Sequence, residues 1–226
     1  MTRTAILFGA VGTLAETSEL QRRAYNSAFA AHDLDWVWEP ESYYNMPHAP
    51  GGRDRIARYA EAAGDRVDAD AIHETKEKVF AALVDRAGLE PRKGVVETFE
   101  AARQQGVPVA FCTTTSPLQV GVILDGLAPH VTRGDFDWIG DRTMVERGKP
   151  APDIYFAALD ALGLGPEDVL VIEDTPESAR SALAAGLTVV GFPGRAASGR
   201  AFPADVPVVD RLGAHVVSGD LKVAAE

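Results

Sequence analysis

Short apolar runs of β-type residues recur along this chain, and segments with helical periodicity separate most of them. The runs are Ala5–Phe8, Val107–Cys112, Phe136–Ile139, Val169–Ile172, Leu187–Val190 and Val206–Val209. Helical spacing of apolar residues marks 94–105, 117–127, 153–162 and 176–185. Such alternation predicts an α/β fold, a parallel sheet with helices on both faces. The punctuation agrees with it. Ser116-Pro117 and Thr175-Pro176 each place a capping hydroxyl before a proline at the first helical position. Gly106, Gly163 and Gly186 follow helix ends, where a left-handed residue is wanted.

Residues 15–91 read differently. Helical patterns cover roughly 18–31, 52–63 and 69–87, with no strand among them, and an irregular aromatic, proline and glycine stretch lies between Trp36 and Gly52. The expected layout is an α/β core of residues 1–14 and 92–226 interrupted by a helical cap at 15–91. Trp36 and Trp38 read as packing residues between cap and core, with stacking on a ligand as the alternative.

Composition narrows the partners. With 33 acidic and 22 basic side chains the net charge is −11, which argues against nucleic acid, since phosphate neutralisation needs clustered Lys and Arg. No apolar stretch approaches the ~20 residues that span a bilayer, so no membrane partner is expected. The chain opens directly into a strand without a signal-peptide pattern, and Cys112, its one cysteine, sits in an apolar run as a small core residue. A cytoplasmic home is expected. Oligomeric state is not legible.

Ligands of open α/β sheets bind outside the carboxyl ends of the strands. The loops there read Gly9-Ala-Val-Gly-Thr-Leu14, Thr113-Thr-Thr-Ser-Pro117, Gly148-Lys-Pro-Ala-Pro-Asp153 and Glu173-Asp-Thr-Pro176. Backbone amides at a helix start, with the Thr113 hydroxyl, can hold phosphate oxygens. Lys149 can set its charge against phosphate or against Asp174. Glu173 and Asp174 offer hard oxygens suited to Mg²⁺. Together these residues suggest a phosphate-and-cation site.

The four loops, in this order and with a helical insert after the first, resemble the motifs of the haloacid dehalogenase (HAD) superfamily across essentially the whole chain. Leu14–Thr17, Asp35–Trp38, Gly51–Ile56, Thr113–Pro117 and Lys149–Tyr155 are similar to the CbbY-type phosphatases of sugar bisphosphates, close relatives of β-phosphoglucomutases. The resemblance implies a Rossmann-like core, a helical cap closing over the site, Mg²⁺ and an aspartyl-phosphate intermediate. It implies catalytic roles for Thr113 and Lys149, metal ligation by Asp174 and Glu173, and substrate contacts from Thr114, Gln21, Arg53 and Tyr44, with Tyr43 and His48 in the same specificity loop.

The departures are concentrated at the chemistry. The family's nucleophile aspartate is Gly9 here, and its acid/base aspartate is Val11, while Gly12, Thr13 and Leu14 match. Glycine has no group to phosphorylate, and valine cannot pass a proton to a leaving group. CbbY-type proteins tend to carry histidine where Gln21 stands and lysine where Arg53 stands. The Ser18–Gln21 run also reads as a helix capping box, which would explain Gln21 without a ligand. Two readings stay open. One is a pseudo-phosphatase that keeps a site for a small phosphorylated metabolite or inorganic phosphate, with a weakened or absent Mg²⁺ site. The other is an active Mg²⁺-dependent phosphatase working by rescue chemistry, or an inactivated form whose parent has Gly9→Asp.

Overall fold

The computed structural model describes residues 5–46 and 51–219. His48 lies outside them. The chain divides into two compact units, Met1–Glu16 with Leu89–Glu226, and Thr17–Gly88.

The first unit is built on five parallel strands: β1 (Ala5–Phe8), β2 (Val109–Cys112), β3 (Trp138–Gly140), β4 (Val169–Glu173) and β5 (Thr188–Gly191). Their spatial order is β3-β2-β1-β4-β5. The chain thus steps outward from β1 on one side, then crosses to β4 on the other, and the switch point lies between β1 and β4. Helices cover both faces, as the two-residue period of the strands requires. Ala5 and Leu7 of β1, with Val169 and Val171 of β4, pack against Ile154, Tyr155 and Ala158 of α8 (Asp153–Leu162) and Ala179 and Ala182 of α9 (Pro176–Ala184). On the opposite face Phe8 stacks on Phe99 of α6 (Val95–Gln105), ring centroids 5.0 Å apart. Gly106 and Gly163 close α6 and α8 with left-handed φ of 63° and 67°. Ser116 and Thr175 cap α7 (Pro117–Leu127) and α9, accepting from the Gln119 and Ser178 amides at 3.3 Å.

Two sequence expectations in this unit need correction. Val206–Val209 forms no strand; Val208 makes one isolated bridge to Gly191. Pro207 has no N–H to extend the ladder, so pairing stops after the Gly191-to-Pro207 and Val209-to-Gly191 bonds. β3 begins at Trp138 rather than Phe136, because Asp137 turns its carboxylate onto the Val109 amide at 2.8 Å. Cys112 is fully buried, as its apolar run implies, and burial pushes its thiol up.

The second unit is helical: α2 (Ser18–Ala31), α3 (Pro40–Asn45), α4 (Gly52–Ala63) and α5 (Ala69–Ala87). The stretch expected to be irregular therefore contains α3, started by Pro40 at its first position. Trp36 and Trp38 pack inside this unit. Trp38 is 1% exposed, 4.7 Å from both the Tyr25 and Phe29 rings, and Trp36 lies edge-on to Phe29 at 5.3 Å. Burying such rings supplies about 1.5–3 kcal/mol each, the main driving force for a bundle this small. α2 starts at Ser18 and Thr17 holds its cap position, so the Ser18–Gln21 pair lies inside the first turn rather than at the cap.

Candidate functional site

The topological switch point places Gly9, directly after β1, beside Glu173, the last residue of β4. Phe8 pairs with Ile172 in register, and the Gly9 amide donates to the Ile172 carbonyl at 2.9 Å. Lys149 reaches this point from the loop before α8. Its ammonium donates to Glu173 Oε1 at 2.6 Å and to the Gly9 carbonyl. Tyr155 of α8 donates its hydroxyl to the same Glu173 oxygen, and Lys149 Nζ lies 4.8 Å from the Tyr155 ring centre. Glu173 and Tyr155 are fully buried, and Lys149 nearly so. Burial and the Glu173 charge hold the Tyr155 hydroxyl well above its ordinary range, so it stays a donor.

Gly9 is empty of side chain, but its surroundings are filled. A β-carbon there would meet Glu173 Oε1 at 2.0 Å and its carboxyl carbon at 2.3 Å. Gly12 is crowded in the same way, its β-carbon position lying 1.9 Å from Asp174 Oδ2. Close approach, rather than an unusual φ, is what both glycines allow. Asp174 is half-buried, and burial followed by the Glu173 charge pushes its carboxyl up to about 7.

The threonine-rich loop follows β2. Thr113 is buried, and its hydroxyl accepts from the Thr115 amide at 3.1 Å. Thr114 is half-buried, its Cβ 3.6 Å from where a β-carbon on Gly148 would stand, so it borders the lysine loop. Val11 starts the short helix α1 (Val11–Leu14), half-buried.

Gly9, Glu173, Asp174, Lys149, Thr113 and Thr114 therefore share one sheet edge. Gln21, Arg53 and Tyr44 belong to the helical unit. Gln21 is half-buried near the start of α2. Arg53 is exposed and paired with Asp70 and Asp54 at 3.1 Å each. Tyr44 is half-buried, edge-on to Tyr43 at 5.7 Å.

Two residues at the core site carried no sequence signal of their own. Tyr155 stood in the quoted lysine motif without a role. Arg92 donates to the carbonyls of Gly12, Phe192 and Pro193 at 2.6–2.8 Å and lies 3.4 Å over the Phe192 ring. It ties the loop after β1 to the loop after β5.

A magnesium ion prefers about six oxygens. Glu173 Oε2 and Asp174 Oδ1 are buried without hydrogen-bond partners among the described residues, which a cation would relieve. Yet Glu173 is already neutralised by Lys149, residue 9 brings no carboxylate, and the Val11 carbonyl accepts the Ala15 amide at 3.1 Å. Among the described residues no three of His, Cys, Asp and Glu gather to hold a metal. A cation here would take Glu173 Oε2 and Asp174 Oδ1 from the protein and fill the rest of its shell from water or a bound ligand. Nor, among the described residues, is any helix long and apolar enough to cross a membrane.

Comparison with known proteins bears out the fold and the family resemblance. The chain is 40% identical over 194 residues to Protein CbbY of Cereibacter sphaeroides, covering 84% of each. Two crystal structures of CbbY from Rhodobacter sphaeroides share the fold with TM-scores of 0.83, covering 92% of this chain and 94% of theirs. One, at 36% identity, is a mutant in complex with xylulose-(1,5)bisphosphate; the other, at 35%, is in complex with phosphate. The pattern described as haloacid dehalogenase-like hydrolase matches residues 4–186. The chain belongs to the haloacid dehalogenase-like hydrolases, related to CbbY and the sugar-phosphate phosphatases.

Proposed function

We propose that this protein is a catalytically impaired member of the phosphatase group, a pseudo-phosphatase that binds phosphate or a phosphorylated sugar without turning it over. One observation carries the reading: at the β1 end, where the family places its phosphoryl acceptor, the chain has Gly9, and the Glu173 carboxylate occupies the adjoining space. Losing a covalent nucleophile costs on the order of 10⁴–10⁶ in turnover elsewhere. Val11 adds to the defect, because an alkoxide leaving group then departs without a proton donor.

What remains suits binding. Thr113, Thr114 and the amides opening α7 face an anion with hydroxyls and N–H groups, and Lys149 supplies the charge. Weak Mg²⁺ affinity and a cytoplasmic home belong to the same proposal. The CbbY complexes with phosphate and with xylulose-(1,5)bisphosphate suggest the ligand class. Calorimetric titration with phosphate and with pentose and hexose phosphates, with and without Mg²⁺, tests it. Saturable binding that changes little when Mg²⁺ is removed is the expected result. Absence of binding to every compound under both conditions would refute the retained site.

A further inference from the structure

Gly9 is not a glycine that its backbone demands. It is absent from the positive-φ glycines, so an L side chain meets no conformational barrier there. What excludes a side chain is the Glu173 carboxylate, all three of whose heavy atoms lie within 2.0–2.8 Å of the β-carbon position. Glu173 comes from the neighbouring strand, and the Phe8–Ile172 register sets the two residues side by side. Its side chain is long enough to lean across and fill the gap that the missing carboxylate leaves.

Once there, the carboxylate is held as a substrate anion would be. It takes Lys149 Nζ at 2.6 Å and the Tyr155 hydroxyl, with no solvent exposure. The lysine that a phosphate would meet is therefore already matched by an internal negative charge. Glu173 Oε2, buried and without a hydrogen-bond partner among the described residues, adds repulsion toward a second anion in the same space.

We propose that Glu173 is a resident anion that stands in for the absent residue-9 carboxylate and sets the anion selectivity of the site. A phosphate group gains Lys149 only by displacing it. This rests on the phosphate-site reading above and adds its determinant: the site discriminates against anions too weak to compete with a carboxylate that is already in place.

The test has two arms. In the first, inorganic phosphate is titrated into the parent protein and into Glu173→Gln, which keeps the size of the side chain and removes its charge. At least ~10-fold tighter binding by the variant is expected, since one like charge is gone from contact distance. Equal or weaker binding by the variant overturns the proposal. In the second arm, Gly9→Ala is made in the parent and in a Glu173→Ala background, and thermal midpoints are compared as a double-mutant cycle. Gly9→Ala should lower the midpoint by about 3–10 °C in the parent, where the new methyl group meets the carboxylate, and by little in the Glu173→Ala background. Equal losses in both backgrounds overturn the proposal. Should neither protein bind phosphate, the phosphate-site reading falls by itself, and the cycle alone decides whether Glu173 fills the place of residue 9.

Discussion

Lys149 Nζ lies 2.6 Å from Glu173 Oε1, and the two side chains are 8% and 0% exposed. A buried pair of this kind adds little net stability over an apolar pair, but breaking it leaves a stranded charge. Among the described residues, Lys149→Met leaves Glu173 with Tyr155 as its one remaining donor and should cost about 3–5 kcal/mol in chemical denaturation at neutral pH. Tyr155→Phe removes the other donor and should cost about 1–3 kcal/mol. Because both act on one carboxylate, the double variant should fall short of the sum. Full additivity would show that the three groups do not form one unit.

Arg92 clamps three carbonyls on two loops. Burial lowers its pKa, yet an arginine stays charged throughout the accessible range. Arg92→Met should cost about 2–4 kcal/mol, since three partly buried carbonyls lose a charged donor together. Hydrogen exchange should quicken in the Gly9–Leu14 and Phe192–Gly194 segments before it does in β2. Uniform quickening across the sheet would argue for a general loss of stability instead.

The Asp174 carboxyl is pushed up from 3.8 to about 7. Across that window the folded protein holds a proton that the unfolded chain has released. Rising pH therefore favours the unfolded state, and this group weakens the fold steadily until pH passes its folded value. Asp174→Asn cannot ionise. Relative to the parent it should gain stability from pH 4 to pH 7 and hold that gain above, as read by denaturant midpoints at each pH. A constant difference across the window would show that the carboxyl titrates normally.

Much of the fold was legible because its determinants are local. The proline-preceding hydroxyls at Ser116 and Thr175 marked helix starts, and both hydroxyls cap as expected. The Val206–Val209 run misled because its branched residues suit a strand while Pro207 forbids the ladder. At the site, the identity of Gly9 and Val11 was readable directly, and so was the gathering of the strand-end loops. The leaning of Glu173 into the Gly9 gap was not. That depends on a glycine that follows the neighbouring strand, and on Lys149 and Tyr155 arriving from a third segment. Arg92 was hidden for a similar reason, since its partners are backbone carbonyls, which no side-chain pattern reveals.

Restoring both lost carboxylates should bring chemistry back in part. Gly9→Asp with Val11→Asp is expected to raise phosphate release from a sugar bisphosphate at least ~10²-fold over the parent, in the presence of Mg²⁺. Gly9→Asp alone should gain less, lacking a proton donor, and Val11→Asp alone should gain nothing. Activity in the single Val11→Asp variant would place the phosphoryl acceptor somewhere other than position 9.

The most direct measurement is a count of turnovers. Pure protein is incubated with excess xylulose-1,5-bisphosphate and Mg²⁺, and released phosphate is followed beyond one equivalent per chain. Release indistinguishable from a protein-free control is expected, since Gly9 has no side chain to take the phosphoryl group. Sustained release past several equivalents, abolished by Lys149→Met, would contradict it and show that the protein is a working phosphatase.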